Sequence, residues 1–173
     1  MNWDAIGAGA ELLGALGVIL TLIYLARQIR HNSQQLKGSS TVAVHEFQES
    51  LTDLLLAQPA LFQLILKANF EWETISDEDK ALYGIWNLKE SGFMELCFHL
   101  REQGALDESI YQSRLEYFLN LYSLPGRRAW WEEQANSSMI DSNFYREISS
   151  KLDQGGGSAE QFLAHFPQYQ KQD

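Results

Sequence analysis

Residues 5–26 read AIGAGAELLGALGVILTLIYLA, 22 positions with a single charge, Glu11. As a helix rising about 1.5 Å per residue this stretch spans roughly 33 Å, close to the hydrocarbon thickness of a bilayer. The uninterrupted apolar part, residues 12–26, is shorter, and its length alone also suits a core helix of a soluble protein. The flanks favour a membrane. Trp3 stands just before the run and Tyr24 near its end, and amphipathic aromatics favour the two lipid–water interfaces. Arg27, Arg30, His31 and Lys37 follow the run, whereas Asp4 and Glu11 precede or open it. Basic residues stay on the cytoplasmic side, so this order predicts a short N-terminus outside and the remaining chain in the cytoplasm. It also argues against a cleaved signal peptide, whose basic residues come before the apolar run and whose small-residue cleavage site comes after it.

Within the run, Gly7, Ala10, Gly14, Gly17 and Thr21 recur at spacings of 3, 4, 3 and 4. That is a heptad seam of small residues, the pattern that lets two helix backbones approach closely in lipid. Leu12, Leu16, Ile19, Leu20 and Ile23 cover the other faces and would meet acyl chains. Glu11 lies beside the seam. It either reaches a partner or simply marks the interface, since Gly and Ala are frequent in membrane spans without any pairing role.

The averages hide this segment. The whole chain has 173 residues, 13 Lys and Arg against 23 Asp and Glu, and a net charge of −10, with a mean hydropathy of −0.27. Residues 1–40 hold 3 basic and 2 acidic side chains, a net +1, and residues 41–173 hold 10 and 21, a net −11. An acidic domain is a poor match for nucleic acid, whose phosphates need Lys and Arg in excess. One cysteine, Cys97, excludes an internal disulfide and a zinc site built from several thiolates.

Beyond the span the pattern is helical throughout. The span's own helix is expected to run on through RQIRHNSQQLK and to break at Gly38-Ser39-Ser40. Val44, Phe47, Leu51, Leu54 and Leu55 share one face of the next helix, and Pro59 starts another whose apolar side is Leu61, Phe62, Ile65 and Leu66. Ser76 caps a long helix with acids in its first turn and the stripe Leu82, Ile85, Trp86, Phe93, Leu96, Cys97 and Leu100, ending near Gly104. Asp107 opens a helix with the stripe Tyr111, Leu115, Phe118, Leu119 and Tyr122. RRAWWEEQ and NFYREISSKL follow as shorter helices, and Gly155-Gly156-Gly157 reads as a flexible break before a weak terminal helix. No segment alternates with period two beside hairpin-turn residues. The expected fold is all-α: an N-terminal single transmembrane helix followed by an antiparallel helical bundle. The divisions are 1–40 for the anchor and juxtamembrane helix, 41–153 for the bundle, and 154–173 for a Gly-rich tail.

The chemistry-bearing residues are sparse. His45 and Glu49, and Glu95 and His99, are each four apart on one helix face, but the Glu-x-x-His pairs of a bundle di-iron site and the HExxH motif are missing, so no metal is expected. Cys97 sits among apolar neighbours, the setting of a core residue and not of an activated thiol. No phosphate-binding loop, dinucleotide fingerprint or nucleophile elbow occurs, and no cofactor is expected. Arg128 and Glu132 form an i,i+4 pair. Adjacent Trp130 and Trp131 diverge by about 100° on a helix, so one is expected inward and the other at an edge. With Arg127 and Arg128 they make a candidate docking patch, because Trp and Arg are enriched in interface hot spots.

Three stretches carry a resemblance: GALGVILTLIYLARQIRHNS, LREQGALDESIY and SLPGRRAWWEE, the last being the most distinctive. They resemble a broad group of uncharacterised bacterial proteins that share one N-terminal span and a compact helical domain. The resemblance implies a protein of the bacterial cytoplasmic membrane and supplies no activity. The expected function is therefore a membrane-anchored, non-enzymatic interaction or accessory protein, touching the lipid bilayer and pairing with itself or with a larger membrane complex through its seam. Two alternatives remain. One is a tethered small-ligand sensor or enzyme, which requires a polar pocket near Trp86, Glu90 and Glu95. The other is a soluble helical oligomer that buries its N-terminal helix.

Overall fold

A computed structural model describes residues 3–164, and for residues 3–10 and 12 it describes the backbone alone. Among the described residues every regular element is helical and there is no strand. The helices are α1 (Trp3–Ala57), α2 (Pro59–Ala68), α3 (Asp77–Glu102), α4 (Glu108–Tyr122), α5 (Pro125–Glu133), α6 (Ser142–Asp153) and α7 (Ala159–Ala164). A single 3-10 turn, Gln134–Asn136, follows α5. Internal contacts divide the chain into two units, Met1–Ser39 and Ser40–Asp173.

The first unit is one helical segment. Its apolar side chains lie open all round the helix: Leu13, Leu16, Val18, Ile19, Leu20, Leu22, Ile23 and Leu25 are all exposed, Leu20 by 66%. The segment is long and apolar enough to cross a membrane. The break expected at Gly38-Ser39-Ser40 does not occur, because α1 continues through it. A single helical glycine costs only about 1 kcal/mol relative to alanine, and no proline stands nearby to remove a backbone donor. Ser39 turns its hydroxyl back onto the Leu36 carbonyl at 2.9 Å, so its side chain bonds within the helix.

The second unit has a continuous core drawn from the end of α1 and from α2 to α6. Ser76 caps α3, its hydroxyl accepting from the Asp79 N–H at 3.1 Å. Gly104, at φ +66°, takes the left-handed conformation just after α3, where a side chain would be strained. Asp141 caps α6 by accepting from the Asn143 and Phe144 N–H groups, each at 2.9 Å, and these bonds hold its carboxyl below the usual range. α4 lies at the centre, packed against α3, α5, α6 and α7, and its expected stripe is the buried one: Tyr111, Leu115, Phe118, Leu119 and Tyr122.

The stripe of α3 differs from expectation. Tyr83, Trp86, Asn87, Ser91, Met94, Cys97 and Phe98 face inward, while Leu82 and Ile85 are exposed, Ile85 by 60%. Two polar residues, Asn87 and Ser91, hold core positions. Ser91 donates to the Asn87 carbonyl at 2.8 Å, and Asn87 takes part in the polar cluster described below. The inward face is thus set by polar partners as much as by apolar periodicity.

The glycines after α6 form no free spacer. A Cβ on Gly157 would stand 2.1 Å from the Leu119 carbonyl oxygen, and one on Gly156 would stand 2.6 Å from that of Lys151. The chain is bare here because it crosses directly over α4. Asn120 fixes the crossing by accepting from the Ser158 N–H at 2.9 Å. Beyond it, α7 packs on α4, with Phe162 against Tyr117 at 6.2 Å between ring centres.

Candidate functional site

The most distinctive sequence signal, PGRRAWWEE, forms the polar and aromatic heart of the second unit. Pro125 occupies the first turn of α5, where its missing N–H costs nothing. Gly126 donates its N–H to the Asn69 carbonyl at 2.8 Å. A Cβ there would overlap the Ala68 carbonyl oxygen at 1.8 Å, so only glycine lets the start of α5 dock on the end of α2. That docking aims Arg127 into the core, where it is 1% exposed.

The Arg127 guanidinium joins three helices. Its Nε donates to Asn69 Oδ1 at 2.9 Å, and its Nη1 donates to Asn87 Oδ1 and to the Glu90 carboxylate. Asn69 Oδ1 also accepts from the Tyr83 hydroxyl at 2.8 Å, and the Tyr122 hydroxyl donates to the Asn87 carbonyl at 3.2 Å. The guanidinium carbon lies 5.3 Å from the Tyr83 ring centre and 5.6 Å from that of Tyr122, within cation–π range. Burial works against the charge on Arg127, but Glu90, Tyr83 and Tyr122 together outweigh it and the arginine is held cationic. Burial pushes the Glu90 carboxyl above the usual carboxylate range, and Arg127 opposes that shift. Burial likewise pushes the Tyr83 hydroxyl up to about 12, so it stays a neutral donor.

The predicted docking patch is therefore not an exposed surface. Trp130 and Trp131 are both buried, Trp131 to within 1%. The 100° divergence between them is accommodated because α5 is covered on two sides. Trp130 lies over Gly84, whose hypothetical Cβ would sit 3.2 Å from the indole nitrogen. Trp131 stacks on Tyr145 at 5.0 Å and donates to Ser149 Oγ at 2.9 Å. Arg128 pairs with Glu132, as its spacing suggests, at 2.7 Å, and also with Asp153. These residues bind the domain to itself.

Two adjoining cavities open beside the arginine cluster. One, of about 120 Å³, lies among α1, α3 and α4 and is lined by residues that include Leu51, Trp86, Glu90, Arg114 and Phe118. The other, of about 170 Å³, is lined by residues that include Phe62, Ile65, Asn69 and Arg127, and Phe162 and Leu163 of α7 close one side. Leu55, Trp86, Glu90, Tyr117 and Leu121 line both. Two donors on the smaller cavity, Trp86 Nε1 and Arg114 Nε, are buried without a hydrogen bond of proper geometry. The Trp86 indole stands near enough to Glu90 to favour its charge, but not aligned with it.

Of the residues that a polar pocket was expected to use, Trp86 and Glu90 come together, and Glu95 does not line either cavity. Glu95 lies 3.9 Å from His99 and accepts from the Asp141 N–H at 3.4 Å. Tyr122 belongs to the stripe expected for α4, whereas Asn69, Tyr83, Asn87 and Arg114 belong to no expected stripe or site. The available signal was Asn87 and Ser91 at helical spacing between Tyr83 and Met94, polar residues standing where a core stripe should run. Cys97 is fully buried, and burial pushes its thiol up to about 11. Among the described residues no group of three or more His, Cys, Asp or Glu side chains is placed to hold a metal.

In the first unit, Gly7 and Ala10 of the seam fall outside the described side chains. A Cβ on Gly14 or Gly17 would meet no atom within 4 Å, and Thr21 donates its hydroxyl back to the Gly17 carbonyl at 2.8 Å. Neither a protein family, nor a curated protein, nor a solved structure matches the chain.

Proposed function

We propose that the chain is a single-pass membrane protein that tethers a non-enzymatic helical bundle, and that it works by association. The observation that carries this reading is the apolar run of α1, exposed on every face from Leu13 to Leu25. A patch of that size on a soluble monomer would be covered by something. An all-round apolar helix with aromatic ends and a basic C-terminal collar suits lipid better than a protein groove, which would demand a one-sided stripe. Arg27, Arg30 and Lys37 favour a cytoplasmic location for the helical domain and an external N-terminus. The bacterial cytoplasmic membrane is the setting implied by the sequence resemblance.

Gly14, Gly17 and Thr21 supply the means of association, continuing Gly7 and Ala10. Thr21 returns its hydroxyl to its own backbone, which keeps the seam thin and free of unsatisfied polar groups. The partner is a second copy or a membrane protein with a matching small-residue face. The aromatic core and the Arg127 cluster maintain a rigid domain at the membrane.

Fractionation of cells expressing the full chain tests the tether. The protein should sediment with membranes, resist alkaline carbonate and dissolve only with detergent. Recovery in the supernatant without detergent would overturn the reading. Crosslinking in membranes tests the association: Gly14→Leu with Gly17→Leu should reduce the crosslinked species several-fold, and an unchanged yield would remove the seam.

A further inference from the structure

Beyond tethering, the second unit holds a concave, mostly apolar space in its core, with polar groups converging from α3, α4 and α5. The charged side chains that line the two cavities are Glu90, Arg114 and Arg127. Glu90 and Arg127 neutralise each other through a direct ion pair. Arg114 takes part in none of the ion pairs found among the described residues. The lining therefore carries a net +1.

Hydrogen-bonding capacity points the same way. The Glu90 carboxylate already accepts from Arg127. Two donors on residues that line the smaller cavity have no hydrogen bond: the Trp86 indole N–H, on a side chain 98% buried, and the Arg114 Nε–H. Buried donors left unpaired each cost on the order of 1–3 kcal/mol, so a site with two of them and a surplus positive charge favours an acceptor, and an anionic one most. The other walls are apolar, with Leu51, Phe93, Met94 and Phe118 around the smaller cavity and Phe62, Ile65 and Leu66 around the larger. A cavity of about 150 Å³ accommodates a benzene-sized body, which sets the scale of the apolar part.

We infer that the helical domain binds a small amphipathic monocarboxylate, its head on Trp86 Nε1 and Arg114 and its apolar body between α1, α2, α3 and α4. Phe162 and Leu163 of α7 form one wall of the larger cavity, so ligand binding is coupled to the docking of the C-terminal helix. This site does not depend on the membrane reading, because every residue it uses lies in the second unit.

The test uses the full chain in detergent with 3-(4-fluorophenyl)propanoate as probe, read by fluorine NMR. The amine and the alcohol of the same carbon skeleton are the controls. The carboxylate should bind saturably and at least tenfold more tightly than either control. Trp86→Phe, which keeps the ring and removes the donor, should weaken it about tenfold, and Arg114→Gln at least as much. Leu121→Trp, which fills the wall shared by both cavities, should abolish binding. Circular dichroism and protection of Cys97 from alkylation establish that each variant is folded. No saturable binding to the wild-type chain, or equal binding of amine, alcohol and carboxylate, would overturn the inference whatever the variants do. So would full affinity in folded Trp86→Phe and Arg114→Gln chains. Sedimentation with membranes is unaffected by any of these outcomes, so a failure here is distinct from a failure of the tether.

Discussion

The two units use apolar side chains of similar kind and give them opposite fates. Between Leu13 and Leu25 the large residues are exposed on every side of α1. Between Tyr83 and Trp131 most of them are buried around α4, in contact with Asn69, Asn87 and Arg127, while Ile85 and Tyr117 stay exposed. Hydrophobicity alone does not separate the cases. The first segment has no polar face to turn outward and no polar group to fix a neighbour. The second alternates exposed charge with inward aromatics and is pinned by one guanidinium that joins α2, α3 and α5. An apolar helix without such partners needs a different solvent, and one with them makes a domain.

The contrast can be broken first at Arg127. Arg127→Ala leaves the Glu90 carboxylate buried and unpaired, and should lower unfolding stability by about 3–5 kcal/mol, read by denaturant titration of the full chain in detergent. A loss below about 1 kcal/mol would mean that the aromatic core holds the domain without the cluster. Next comes a matched pair of truncations. Leu115→Ala, inside the core of the second unit, should cost about 2–5 kcal/mol. Leu20→Ala, on the exposed run, should shift the same transition by less than about 0.5 kcal/mol. Similar costs for the two would show that protein, not lipid or detergent, covers the run.

Gly126→Ala sharpens the comparison at a smaller scale. Its Cβ would overlap the Ala68 carbonyl, and overpacking of this kind costs about 1–3 kcal/mol. The loss should appear together with weaker protection of the Arg127 cluster in hydrogen exchange. The smallest effect is chemical. Cys97 has its thiol pushed up to about 11 from an ordinary value near 9, chiefly by burial. Its folded pKa exceeds its unfolded one, so its contribution to stability is whole below about 9 and is lost as pH rises through about 11. Iodoacetamide at pH 8 should therefore modify Cys97 only as fast as the domain unfolds. Rapid labelling of the folded chain would contradict its burial.

Much of this architecture was legible in the residues. The helical class, the cap at Ser76, the start at Pro59 and the stripe of α4 follow from local spacing. The errors share a cause: each depended on a contact distant in sequence. Asn87 holds a core position because Arg127 and Tyr122 reach it from other helices. One of Trp130 and Trp131 is expected at an edge, but both are buried because α6 covers the second. Gly157 reads as part of a flexible break and Gly126 goes unmarked, because a close backbone approach leaves no local sign. The break expected at Gly38-Ser39-Ser40 fails because one glycine is too small a penalty to stop a helix. Two of the three residues expected at a pocket, Trp86 and Glu90, do line the cavities and are visible as polar and amphipathic residues on the long helix. Arg114 and Asn69 were not, because only folding brings them beside Trp86 and Glu90, Arg114 on the smaller cavity and Asn69 on the larger.

The most direct test of the contrast is photolabelling with a lipid-soluble carbene in vesicles that contain the full chain, with modified residues located by peptide sequencing. Label is expected on Leu13, Leu16, Leu20 and Ile23 and none on Tyr83, Trp130 or Trp131. An unlabelled run from Leu13 to Leu25 in protein recovered with the vesicles would contradict that expectation.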